Sequence, residues 1–212
     1  MSWGDLLAIL QGAVVTVTLS FAGILIGSPV GLALAVLRWA DVPVAARAVA
    51  VYVSILRATP LVTLLLLLFF ALPNIAIGPI SAAILALVMN TAAFNCEVWR
   101  ASLMNFPKDQ YEAAQSIGMS APLRFRRIVL PQIARASLPG LVNEMSLLIK
   151  VTPALAVVGV VDITRAAVRI GAETYEPLPP FLVALALYVP IVFILVSLQR
   201  WIERRQIRAE AA

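Results

Sequence analysis

The stretch GAVVTVTLSFAGILIGSPVGLALAVL, Gly12 to Leu37, carries no charged side chain. A helix of about 20 apolar residues crosses the hydrocarbon core of a bilayer. Lipid offers the backbone no hydrogen-bond partner, so a spanning segment satisfies its own N–H and C=O groups by coiling into a helix. Gly12–Leu37 is therefore expected to be a first transmembrane helix. Within it, Gly23, Gly27 and Gly31 recur every four residues. Such a strip lets a second helix approach closely; the competing reading is a lipid-facing helix with incidental glycines.

The rest of the chain agrees. It is 62% hydrophobic and 13% charged, with a mean hydropathy of +0.97, whereas soluble domains are about one quarter charged. The run from Ala58 to Cys96 is also uncharged, and too long for one crossing. Its middle, LPNIAIGP (Leu72 to Pro79), holds two prolines, an asparagine and a glycine, which read as a turn. The expected fold is all-α: one domain over residues 1–212, with spans at about 12–37, 51–72, 80–99, 137–161 and 179–201. Met1 to Asp5 lack a basic region, so the first span is expected to direct insertion itself.

Basic residues fix the expected orientation. With the N-terminus outside, thirteen of the sixteen lysines and arginines fall on inner segments, among them Arg38, Arg47, Arg57, Arg124, Arg126 and Arg127. Arg165 and Arg169 fall outside, and Lys150 lies within a span. Positive charge stays on the inner side, so the N-terminus is expected outside and the C-terminus inside. Trp39, Trp99 and Trp201 then sit at the inner boundary as interfacial anchors. The net charge of +5 accordingly sets topology and does not point to nucleic acid.

The chain has no histidine and a single cysteine, Cys96. The commonest transition-metal ligand and the usual general base are missing, and no internal disulfide can form. A phosphate-cradling loop needs a glycine-lysine pair followed by Ser or Thr. Lys108 follows Pro107 and Lys150 follows Ile149, so neither qualifies. No cofactor is expected on this chain.

Residues 107–135 are too polar to span. The pattern predicts two short helices. The first covers about Asp109 to Ile117 and closes on a left-handed Gly118. The second is capped by Ser120, with Pro122 in its first turn. Pro131 is expected to end it, because proline has no N–H to donate. Phe125, Ile128 and Val129 share a face, with Arg124, Arg126 and Arg127 off it. Glu112, Ala113 and Ala114 make a small-side-chain surface. Two readings are open on physics alone: a knob for a partner's groove, or an interfacial pair lying on anionic lipid.

Polar groups inside spans are costly and face protein or water. Glu144 and Lys150, six apart, do not share a helix face, while Asn143 and Lys150 nearly do. Pro153 should kink or break the span, and interrupted helices near the midplane line transport sites. Asn90, Phe94 and Glu97 share a face of the third span. Each has a structural alternative: interhelical glue for Asn90, a local salt bridge to Arg100 for Glu97, snorkelling to headgroups for Arg57, and a structural ion pair for Glu144 or Lys150.

Glu112-Ala113-Ala114, Gly118, Ile128 and Pro131 together resemble the "EAA" loop of permease subunits of binding-protein-dependent ABC importers. More of the chain is similar to their polar amino-acid branch, which handles histidine, glutamate, glutamine, arginine and opines. Arg57-Ala58-Thr59-Pro60 resembles RGTP; Ala93-Phe94 with Glu97 and Arg100 resembles AY..E..R. Pro107 to Gln110 resembles PKGQ, and Leu138-Pro139, Asn143-Glu144, Lys150 and Thr152 resemble LP…NE…LLK.T. Ala58 and Asp109 replace the family's glycines, and Val151 and Pro153 the aspartate and serine after its lysine.

The resemblance implies a loop coupled to a cytoplasmic ATPase through Glu112, Ala113, Ala114, Gly118 and Pro131. It implies partners: an ATPase dimer that uses the ATP, a second permease subunit, identical or homologous, and an extracytoplasmic solute-binding protein. It implies a bacterial inner membrane and alternating-access import of a polar amino acid or related zwitterion. Glu144, Asn143, Asn90, Arg57 and Thr152 are the candidate pathway residues. An ion-coupled secondary transporter and a membrane-embedded enzyme are the alternatives.

Overall fold

The structure is a computed structural model that describes residues 2–40, 42–71 and 78–210. Among these there is no strand. In chain order the helices are α1 (Trp3–Trp39), α2 (Pro43–Ala58), α3 (Leu61–Ala71), α4 (Pro79–Met104), α5 (Lys108–Ser116), α6 (Ala121–Arg124), α7 (Leu130–Val151), α8 (Ile163–Thr174) and α9 (Leu178–Glu210). A π turn, Phe125–Val129, joins α6 to α7, and a 3-10 segment, Thr152–Val158, follows α7. The turn expected at Leu72–Pro79 lies, for residues 72–77, outside the described residues. Its last two residues open α4, with Gly78 as cap and Pro79 in the first turn.

The bundle is organised around α1 against α4. A Cβ on Gly23 would stand 2.9 Å from the Leu87 Cβ. One on Gly27 would stand 2.7 Å from the Thr91 Cβ, and one on Gly31 2.9 Å from the Ala92 carbonyl oxygen. The glycine strip is thus the contact face. Lipid tails are as apolar as leucine, so this backbone approach and its dispersion contacts, rather than burial of grease, hold the pair. Gly140 brings α7 onto Val98 of α4 in the same way, and the Ser137 hydroxyl donates to that of Ser102 at 2.7 Å. At 37 residues, α1 is about 55 Å long, so its ends project beyond a hydrocarbon core of about 30 Å.

Three expectations are corrected. The second span, expected as one helix over 51–72, is two helices bent by 106° between Ala58 and Leu61. Pro60 forces the residue before it out of the helical region, and Thr59 is extended, at φ −94° and ψ 125°. Among the described residues four helical segments are long and apolar enough to span, and the bent pair is a fifth candidate. Second, the helix does not end at Pro131. It runs through the π turn into α7, whose first turn holds Pro131. In that wider turn the Leu130 N–H reaches back to the Phe125 carbonyl, five residues away, which makes room for the proline ring just beyond. The fourth span and the second short helix are therefore one continuous rod. Third, Trp99 is buried among Ala35, Val53, Leu103 and Ile133 and is no interfacial anchor, whereas Trp201 is exposed.

Two further elements follow from local chemistry. The 3-10 segment begins where Pro153 interrupts the α7 ladder and ends on Gly159 at φ 98°. Helix α8, which hydropathy does not reveal, is capped by Asp162, whose carboxylate accepts from the Arg165 N–H at 2.8 Å. Its apolar face, Ile163, Ala166, Ala167 and Ile170, packs with Ile9 of α1 and Ala184 of α9.

Candidate functional site

The α2–α3 break and the last turns of α7 line a cavity of about 430 Å³. One wall is the α2–α3 break, from Arg57 to Leu61. The second is α4, through Asn90, Thr91 and Phe94. The third is the end of α7, through Glu144, Leu147, Leu148 and Val151. Arg57, Asn90 and Glu144, three of the five candidate pathway residues, are thus brought together. The others are not. Asn143 is exposed on another face. Thr152 is fully buried, its hydroxyl donating to the Ile149 carbonyl at 2.7 Å. Lys150 is exposed in the last turn of α7, where a cation offsets the negative helix end.

The charges in the cavity are arranged apart. The Arg57 guanidinium lies over the Phe94 ring, 5.4 Å from its centroid. Among the described residues the ion pairs are Arg38–Glu97 and Arg100–Glu97. Glu144, half-buried, has no such pair. The Thr91 hydroxyl is buried and without a hydrogen-bond partner. The cavity therefore offers a cation, an anion and an amide among leucines and a valine, with the Thr91 hydroxyl buried in its wall. Such a lining can meet both signs of charge on one small molecule. Thr91 was not legible from charge or periodicity, since a threonine on a packed face looks structural.

Glu97 does not join the cavity. It accepts from Arg100 at 2.9 and 2.6 Å, as its spacing predicts, and also from Arg38 of α1. The second arginine comes from a helix far away in sequence, so spacing could not show it.

Residues 107–135 form a hairpin. Helix α5 closes with the Met119 N–H on the Ala114 carbonyl at 3.2 Å and the Gly118 N–H on that of Gln115 at 2.9 Å. This paired closure needs a left-handed residue, and Gly118 has φ 81°. Ser120 stands at the cap of α6 but makes no side-chain cap bond. Glu112, Ala113, Gly118 and Pro131 are exposed, while Ala114 turns inward. Arg124, expected off the apolar face, is buried. It donates to the Met119 carbonyl at 2.8 Å and the Tyr111 hydroxyl at 3.0 Å. Trp39 at the end of α1 meets Tyr111 edge-on, 5.7 Å between ring centroids, and Phe125 at 6.3 Å. The hairpin is therefore mounted rigidly on α1 and α7, with Glu112, Ala113 and Ile117 outward. Among the described residues no three of His, Cys, Asp and Glu gather as a metal site.

Comparison with known proteins identifies the family and the fold. Residues 22–208 match the family model described as binding-protein-dependent transport system inner membrane component. The nopaline transport system permease protein NocM of Agrobacterium fabrum is 36% identical over 88% of this chain and 83% of its own. The L-cystine transport system permease protein TcyB of Bacillus subtilis is 34% identical over 93% of this chain and 86% of its own. The crystal structure of an amino acid ABC transporter with histidines superposes with a TM-score of 0.84 at 30% identity, over 93% of this chain and 94% of that one. The fold is also that of the inward-facing MetNI methionine ABC transporter, with a TM-score of 0.79 at 23% identity, over 97% of this chain and 99% of that one. The chain belongs to the binding-protein-dependent transport system inner membrane components: it is a multi-pass permease subunit of an ATP-driven ABC importer, a transport component and not an enzyme, whose membership implies ATPase and solute-binding partners.

Proposed function

We propose that this permease carries a polar amino acid or an opine-like zwitterion, and that the cavity between Arg57, Asn90 and Glu144 receives it. The observation that carries the reading is the pair of opposite charges lining one cavity without an ion pair between them. A substrate α-carboxylate meets Arg57 and its α-ammonium meets Glu144. Charge-assisted hydrogen bonds are about twice as strong as neutral ones, and a low-dielectric wall of leucines strengthens them. The Asn90 amide adds a neutral polar contact. The relatives named for nopaline and L-cystine transport molecules of this chemistry.

The hairpin supplies the coupling. Glu112, Ala113 and Gly118 form its outer surface, with Ala114 and Arg124 fixing it from below and Pro131 at the root of the rod that leads to Glu144. An ATPase dimer gripping this surface moves α7, and with it one wall of the cavity. ATP is bound and hydrolysed by that partner. A second permease subunit, identical or homologous, completes the pathway, and an extracytoplasmic binding protein delivers the solute. The N-terminus is outside and the C-terminus inside, in a bacterial inner membrane.

Reconstitution of the permease with its ATPase and binding protein, followed by a screen of labelled amino acids and opines, tests this. Uptake of a zwitterion that falls at least tenfold in both Arg57→Gln and Glu144→Gln is the expected result. Unchanged uptake in both variants places the solute elsewhere.

A further inference from the structure

We propose that Phe94 is a positioning residue of the cavity: its ring holds the Arg57 guanidinium away from Glu144, so that the empty site keeps separate positive and negative ends. This rests on the reading of the cavity as the solute site.

Arg57 is the last-turn cation of α2, one residue before the helix gives way at Ala58–Thr59–Pro60. Nothing in its own helix fixes a long side chain there. Glu144 lines the same cavity with the opposite charge. Two such groups lining one cavity and free to move attract each other into an ion pair. A collapsed site presents no net charge to either end of a zwitterion and must be opened before the solute enters. The observed cation instead rests on an aromatic face, 5.4 Å from the Phe94 centroid, and the carboxylate stands outside ion-pair range. Arg57 is exposed, where a cation–π contact is a weak attraction. That is enough to hold the guanidinium in the empty site, yet weak enough to let a substrate carboxylate reach its free N–H groups. The ring accepts no hydrogen bond of ordinary strength from those donors, so they remain available to a carboxylate.

The ring is well placed for this. Phe94 is half-buried on α4, on the same helical face as Asn90, one turn away, so both reach the cavity from one rigid element.

The test uses the permease–ATPase complex in lipid nanodiscs, without the binding protein, and equilibrium binding of labelled L-glutamine and L-arginine. Phe94→Leu should raise the Kd about three- to fivefold for whichever probe binds. Phe94→Tyr, which keeps the π face, should stay within about twofold. In an Arg57→Gln background, Phe94→Leu should have no further effect. A second readout needs no solute: labelling of Glu144 by a hydrophobic carbodiimide, read by mass spectrometry, should slow severalfold in Phe94→Leu and not in Phe94→Tyr, because a carboxylate paired with Arg57 resists activation. Equal labelling in Phe94→Leu and the unmutated complex overturns the positioning role, as does a Phe94→Leu penalty that persists without Arg57. Unchanged probe binding in both Arg57→Gln and Glu144→Gln overturns the solute site itself, and the labelling readout tells that failure from the other.

Discussion

The Arg124 guanidinium stacks 4.5 Å above the centroid of the Tyr111 ring and also donates to the Tyr111 hydroxyl at 3.0 Å. With its bond to the Met119 carbonyl, this one buried side chain ties α5, the Gly118 bend and α6 into a single body. A force applied at Glu112 then reaches α7 without being lost in the bend. The relationship separates two properties of the hairpin, its outer surface and its stiffness, and they can be tested apart.

Glu112→Lys and Gly118→Asp alter the surface and the bend. Gly118 holds a positive φ with open space around it, so a side chain there is a strain rather than a clash, costing about 1–2 kcal/mol. Both variants should insert normally, bind the ATPase weakly in pull-down and lose transport. Normal uptake by both removes the hairpin from the mechanism.

Arg124→Ala acts on stiffness alone. It removes two hydrogen bonds from a charged donor, worth about 1.5–3 kcal/mol each, and leaves Glu112, Ala113 and Gly118 in place. ATPase binding should persist while ATP hydrolysis becomes poorly coupled to uptake. The ratio of ATP consumed to solute moved should rise severalfold. A variant with the unmutated ratio shows that the Arg124 contacts are dispensable.

Gly27 carries the tightest approach of α1 to α4. A methyl group there meets the Thr91 Cβ at 2.7 Å and the Val88 carbonyl oxygen at 2.9 Å, and neither atom is at the end of a flexible chain. Gly27→Ala should lower stability by about 1–3 kcal/mol, as overpacking does, and should shift Thr91, and with it the cavity wall. Gly4→Ala meets only the Ser2 hydroxyl at 3.6 Å and should be neutral or slightly stabilising. Thermal unfolding of the two purified variants in one detergent checks the contrast.

Much of this architecture is legible in the sequence because its signals are local. The four-residue glycine spacing marks the α1–α4 contact, and Pro153 and Gly118 mark a break and a bend. What is lost has identifiable causes. Hydropathy sees Thr59-Pro60 as two more uncharged residues, so the α2–α3 bend disappears into a span. A 3.6-residue wheel puts Arg124 off the apolar face, but the π turn that follows it winds more residues into one turn and changes which side chains face inward. Helix α8 is too short for a membrane signal, and its partners, Ile9 and Ala184, are remote in sequence. In the site, charge and polarity within spans point to Arg57, Asn90 and Glu144. They point equally to Asn143, because a sequence does not say which face of α7 the bundle leaves open.

Asp162, between the 3-10 segment and α8 and outside the spans, makes stability depend on pH. Burial pushes its carboxyl above the ordinary range, and hydrogen bonds from the Arg165 and Thr164 amides and the Tyr188 hydroxyl only partly oppose this. The folded protein then binds the proton more tightly than the unfolded chain. Stability therefore falls as pH rises from the ordinary carboxylate value to the raised folded one, and the penalty is complete above it. Asp162→Asn keeps a capping oxygen and removes the charge. It should be more stable than the unmutated protein at neutral pH and less sensitive to acidification. Asp162→Ala loses the cap, at a cost of about 1 kcal/mol. Unfolding temperatures of the three proteins across acidic to neutral pH give the comparison, and identical pH dependence in all three rules the carboxyl out.

Glu97 sits between Arg38 of α1 and Arg100 of its own helix, joining the two helices below the cavity. Its side chain is 19% exposed, and the arginines are 22% and 30% exposed, so the cluster is neither a surface pair nor a sealed one. Exposed pairs contribute about 0–1 kcal/mol, while breaking a buried one costs about 3–5 kcal/mol, because a charge is left without its partner. Glu97→Gln leaves two guanidiniums facing each other and should cost about 2 kcal/mol, between those limits. Arg38→Gln should cost less, since Arg100 still neutralises Glu97. In the double variant the repulsion is gone, so Arg38→Gln should partly restore the stability lost in Glu97→Gln. That sign reversal in a double-mutant cycle is the discriminating measurement: independent, additive losses would mean that the two arginines do not share the carboxylate.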